Sequence, residues 1–99
     1  MTEPDTHDRE LLSLAASLLD SVGAHRVTSA EVALPCLAAA ELLECAGGRA
    51  SRVQLIEGLP RPSILAALTA LSKLGDDVFR TDNVLQAGRT ARRALNLVG

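Results

Sequence analysis

Few residues in this chain have side chains suited to chemistry. Cysteines stand at positions 36 and 45 and histidines at 7 and 25. Zinc is held by such ligands at characteristic spacings, and these four match none. Cys36 and Cys45 lie in one helical pattern. Nine residues of helix put them on opposite sides and about 13 Å apart along the axis, too far for a disulfide. Both are expected to be reduced, buried and structural, in a cytoplasm. Asp76, Asp77 and Asp82 lack the ladder of a calcium loop. There is no Gly-rich phosphate loop, His25 has no acid or nucleophile assigned by spacing, and Ser51 and Ser63 read as helix caps. No nucleophile–base pair emerges, so no enzyme, metal or cofactor is expected. What remains is phosphate-contact chemistry: Arg52, Arg61, Ser63, Lys73 and Arg80. Such groups position a protein on a nucleic acid without reading its sequence.

The elements that must position these groups are helices. The chain has 99 residues, of which 18 are Leu and 16 Ala, and Phe79 is its one aromatic. That excess favours helix and argues against a large sheet. One aromatic leaves no stacking platform for single-stranded nucleic acid. The longest uncharged run, Pro62–Ser72, has eleven residues, against about 20 for a membrane span. The acidic, polar N-terminus has the character of neither a signal nor a transit peptide. Charge is uneven: residues 1–48 carry a net −6 and residues 49–99 a net +4. A basic second half suits nucleic acid or an acidic partner. It equally suits two solvated halves that pair with each other.

Residues 1–7 read as a disordered tail and residues 8–99 as a single helical domain. Leu11, Leu14, Ala15, Leu18 and Val22 share one face of a helix over Asp8–Val22, stopped by Gly23. Thr28-Ser29-Ala30-Glu31 is a capping box that opens a helix to about Ala46, with Pro35 expected to kink or split it. That helix is apolar nearly all round, so it is central or shared with a second subunit. Ser51-Arg52-Val53-Gln54 is a second capping box, opening a short helix that Gly58 ends. The next helix runs from Pro62 or Ser63 to Leu74 and is stopped by Gly75. Val78-Phe79-Arg80 and Val84-Leu85-Gln86 form a minimal β-hairpin. A last helix follows to about Leu97, with Arg89, Arg92 and Arg93 on its polar side. The fold class expected is therefore mainly α, with about five helices.

A short helix, a tight turn and a second helix form a helix-turn-helix layout. Ala46–Val78 resembles the winged-helix domains of bacterial transcription regulators. Gly58-Leu59-Pro60-Arg61-Pro62-Ser63-Ile64 is similar to the turn and recognition-helix start of IclR-type regulators. Leu85-Gln86-Ala87-Gly88-Arg89 resembles the strand-to-helix passage after the wing in MarR-type regulators. That passage would place Gly88 at a helix start, where glycine costs little; in a helix middle it costs about 1 kcal/mol. The resemblance covers about residues 46–95 and implies a helix-turn-helix core with a clipped hairpin wing. The base-reading positions fall on Leu65 and Ala66. Alanine can touch a thymine methyl but cannot discriminate bases by hydrogen bonds.

Two functions are expected from these readings. In the first, the chain is a small winged-helix DNA-binding protein, a dimeric transcription regulator contacting double-stranded DNA through Arg52, Arg61, Ser63, Ala66, Lys73 and Arg80. In the second, it is a helical protein–protein interaction module with a winged-helix-like shape and no DNA role. Leftover apolar surface argues for a homodimer. Its interface would draw on Leu11, Leu18, Leu34 and Leu37, and on the small-residue seam Ala87, Ala91, Ala94 and Val98.

Overall fold

A computed structural model describes residues 5–98. Among them the chain forms five α-helices and one 3₁₀ turn, with no strand. Helix α1 spans Thr6–Ala24. Asp5 is its N-cap and its carboxylate accepts the Asp8 N–H at 2.8 Å, satisfying one of the free amides at the helix start. The helix therefore takes in Thr6 and His7, part of the expected tail; residues 1–4 of that segment lie outside the described residues. Gly23 does not stop α1 but lies within it. A Cβ there would run into the Leu37 side chain, so glycine lets the next helix come close.

Helix α2 spans Ala30–Cys45 and continues through Pro35 without splitting. Pro35 stands only six residues into α2, so the bond it forfeits is close to the helix start. The N-cap is Ser29 rather than Thr28, and no side chain caps the helix. The Thr28 hydroxyl oxygen is buried without a hydrogen-bond partner. At the other end Gly47 takes a φ of 116°. The Gly47 N–H donates to Glu44 O at 3.1 Å and the Gly48 N–H to Leu43 O at 3.0 Å. This is a Schellman ending, which needs a left-handed residue where Gly47 sits.

Residues 49–55 overturn one expectation: Ser51–Gln54 is not helical and has no regular secondary structure. The segment is a strap laid along α1. The Arg49 N–H donates to Ser13 Oγ at 2.9 Å, the Ser51 N–H to Ser17 Oγ at 3.0 Å, and the Val53 N–H to Ser21 Oγ at 2.9 Å. A helix of seven residues is too short to hold itself, and the α1 serines offer its amides acceptors instead. The strap ends in the 3₁₀ turn Ile56–Gly58. Gly58 has φ 69°, as a sharp turn there requires, and Glu57 beside it is also left-handed at φ 55°. A Cβ on Gly58 meets nothing within 4 Å, so a substitution there tests the backbone alone. Gly58→Val should cost about 1–2 kcal/mol, a fall in melting temperature of about 5–10 °C. Glu57→Asn should move the midpoint the other way, since asparagine tolerates the left-handed region better than glutamate. Thermal melts of the two variants check both signs.

Helix α3 spans Pro60–Ser72, with proline at its start, where no N–H is needed. The one-turn helix α4 spans Asp76–Phe79, and α5 spans Asp82–Leu97. The hairpin wing is thus absent: Val78 and Phe79 are in α4, and Val84–Gln86 are in α5. Two three-residue strands with no sheet to join cannot stand alone, whereas Asp82 and a helix-forming run from Val84 favour α5. Gly88 consequently sits inside α5 rather than at a helix start.

The four long helices close a ring. α1 packs on α2 and α3, α2 packs on α5, and α5 returns to α3. The core lies inside it, with Leu12, Leu19, Leu43, Ile64 and Val84 essentially without solvent contact. Asp8, itself buried, accepts the Gly75 N–H at 3.2 Å and ties the start of α1 to the α3–α4 turn. No helix of the described residues is long and apolar enough to cross a membrane.

Candidate functional site

The second half of α3, the short α4 and the first half of α5 enclose a groove of about 250 Å³. Its floor is apolar, made by Leu68 and Leu71 of α3 and Val84 and Leu85 of α5, with Phe79 of α4 at its edge. Phe79 is 39% exposed, unusual for the sole aromatic of a chain this apolar. α3 starts at Pro60 and ends at Ser72 with Lys73 as its C-cap, rather than running from Pro62 or Ser63 to Leu74 and stopping at Gly75. Gly75 is instead the N-cap of α4, whose start the acidic pair Asp76 and Asp77 favours. The Thr81 hydroxyl donates to Val78 O at 2.7 Å and holds the step into α5. Along α5, Val84, Ala87, Ala91 and Ala94 face the core. Leu85, Gly88, Arg89 and Arg92 run along the neighbouring flank and line the groove. Arg89 and Arg92 are exposed. Three residues apart, they are neighbours on the helix surface.

Gly88 is the feature without an internal explanation. A Cβ at this position meets nothing within 4 Å. It is helical, so no left-handed backbone demands glycine. A glycine there costs about 1 kcal/mol relative to alanine, and nothing inside the protein requires it. Its effect is to leave the α5 backbone bare at the groove.

The expected DNA-contacting residues are scattered. The Arg52 guanidinium lies 3.3 Å from the Asp20 carboxylate, on the α1 side of the molecule. Arg61 is at the start of α3, where it donates to Val98 O at 3.4 Å. Lys73 is at the opposite end of α3, about 18 Å further along. Arg80 follows α4, with Asp76 and Asp77 between it and Lys73. Ser63 is fully buried. Its hydroxyl accepts the Ile56 N–H at 2.9 Å and donates to Leu59 O at 2.8 Å, so it closes the turn before α3. Ala66 is half-buried against the core.

The expected interface residues are mostly inside. Leu11 and Leu18 are buried, and Ala87, Ala91 and Ala94 have no exposure at all. The small-residue seam lies on the face that α5 turns to the rest of the ring. Leu37 covers Gly23, Val98 is half-buried, and Leu34 alone of the eight stands well exposed, at 67%. The sequence reading placed Arg89 and Arg92 on a polar face but did not join them to Phe79 and Gly88. The sequence signal for this site is a glycine inside an arginine-bearing helix.

The two cysteines differ, contrary to the expectation that both are buried. Cys36 is buried and Cys45 is exposed, both as free thiols. Burial pushes the Cys36 thiol up from its ordinary value near 9 to about 11. Because the thiolate is the reactive form, iodoacetamide at pH 8 should label Cys45 readily and Cys36 only after denaturation. The fold holds Cys36 protonated where the unfolded chain would release the proton. Stability should therefore fall as pH rises from about 9 to about 11. Cys36→Ala should flatten that slope in alkaline urea titrations.

No family model matches this chain, and no curated protein or solved structure matches it.

Proposed function

We propose that this chain is a non-enzymatic helical interaction module that captures a protein partner in the groove between α3, α4 and α5. The observation that carries this reading is Gly88, a mid-helix glycine whose missing side chain opens the groove and serves no internal contact. Phe79 of α4, at the groove's edge, and Leu65 of α3 are both exposed and add apolar surface on two of its three helices. The duplex-DNA reading draws less support. Its first motif helix is a non-helical strap, Ser63 is buried, and acids stand among its basic residues at Asp20, Asp76 and Asp77. A homodimer through the α5 seam would require opening the ring of helices, because Ala87, Ala91 and Ala94 of that seam are fully buried.

A photo-crosslinking residue placed at Leu85 tests the reading in native lysate treated with nuclease. A discrete protein adduct is expected, and Gly88→Leu should abolish it by filling the groove. An adduct that needs nucleic acid, or one that Gly88→Leu leaves unchanged, would remove the groove as the docking site. Gly88→Ala should separate stability from binding. It should raise stability by about 0.5–1 kcal/mol while weakening the adduct, and a gain of stability with unchanged capture would leave Gly88 without a function.

A further inference from the structure

We infer that the occupant of the groove is an amphipathic helix that carries Asp or Glu beside a short apolar stripe and lies across α5 at Gly88. The inference rests on the groove being a docking site and adds the chemistry of what docks. Charge is the first argument. Residues 83–98 hold Arg89, Arg92 and Arg93 and no acid. Arg89 and Arg92 stand at the groove and form no ion pair among the described residues. No acidic side chain lines the groove. Two adjacent guanidinium groups beside an apolar floor suit carboxylates flanking an apolar anchor, since arginine pairs with carboxylate in a planar, two-pronged geometry.

Size is the second argument. Pockets that swallow a whole small molecule run from about 300 Å³ upward. This groove is about 250 Å³, sized for a few anchor side chains presented by a larger body. Backbone chemistry is the third. The described residues contain no strand, so no sheet edge offers hydrogen bonds to an extended peptide, whereas a helix laid in a groove satisfies its own backbone and needs none. Gly88 fits that mode, because a bare backbone position lets a second helix approach closely.

The test is selection of displayed peptides of about 15 residues against the intact protein. The library fixes apolar residues at helical spacing and leaves the outer positions free among Asp, Glu, Lys and Arg. Recovered peptides are expected to be acidic. Arg89→Glu with Arg92→Glu should weaken a labelled recovered peptide about tenfold or more by fluorescence anisotropy, and a Lys-for-acid version of the peptide should recover binding to that variant. Gly88→Leu should abolish binding. All three substitutions fall on exposed or open positions, and circular dichroism confirms that the variants remain helical. Peptides with no acidic bias that still depend on Gly88 would overturn the inference and leave the docking site intact. Peptides indifferent to Gly88→Leu, or no recovered peptide, would overturn both.

Discussion

Gly48→Ala is expected to be among the most damaging single-methyl additions in this protein, costing about 2–4 kcal/mol. A Cβ at Gly48 would lie 2.9 Å from the Leu12 carbonyl carbon and 3.0 Å from both its oxygen and its Cβ. Leu12 is on the buried face of α1, so the atoms in the way are helix backbone, which cannot rotate aside. Overpacking alone costs about 1–3 kcal/mol. Here relief also means pulling the end of α2 off α1, which stretches the bond from the Gly48 N–H to Leu43 O. Gly23→Ala is the matched control. Its new methyl meets chiefly the leucine side chain of Leu37, half-buried and able to change rotamer, so about 1 kcal/mol is expected. Urea unfolding of the two variants should rank them in this order, and equal midpoints would show that α1 yields at Leu12.

The glycine pair at 47 and 48 shows how much of the fold the sequence carried. Gly-Gly after an apolar run reads as a helix stop, and α2 does stop there, with Gly47 left-handed. The reason Gly48 is glycine was not legible, because it depends on a neighbour 36 residues away. The long helices came from periodicity, which is local information. The errors came where tertiary contacts outbid local signals. The Ser51-Arg52-Val53-Gln54 box has the residues of a helix start, yet it is strapped to α1 by its backbone. Thr28 has the residue type of a cap, yet α2 begins one position later. The wing failed because a hairpin needs partners that a helical chain does not provide. The candidate site was legible only in pieces. Its arginines, its glycine and its phenylalanine are in plain view, but they lie on α4 and α5, and the turn at Thr81 brings them to one groove.

The second large effect is expected in the serine ladder, and its origin is a match of two repeats. Ser13, Ser17 and Ser21 are four residues apart on α1, a rise of about 6 Å per step. The strap donates from every second residue, Arg49, Ser51 and Val53, and two extended residues advance about 6.5 Å. The mismatch is small enough for three rungs to form with bonds of 2.9–3.0 Å. Each rung should contribute about 1 kcal/mol. Those to Ser17 and Ser21 should contribute most, since both serines are buried, whereas Ser13 is half-buried. Alanine at all three positions would remove about 3 kcal/mol of bonding, while its better helix propensity returns about 0.5 kcal/mol per site. A melting curve therefore understates the loss, and amide hydrogen exchange is the measurement that separates the two terms. In the triple variant the amides of Arg49, Ser51 and Val53 should lose their protection, while those inside α2 and α5 keep theirs. The bond from the Ile56 N–H to Ser63 lies beyond the ladder and should persist, which localises the opening to the strap. If the three amides stay protected, the strap is held instead by the burial of Leu55, and Leu55→Ala rather than the serines would release it.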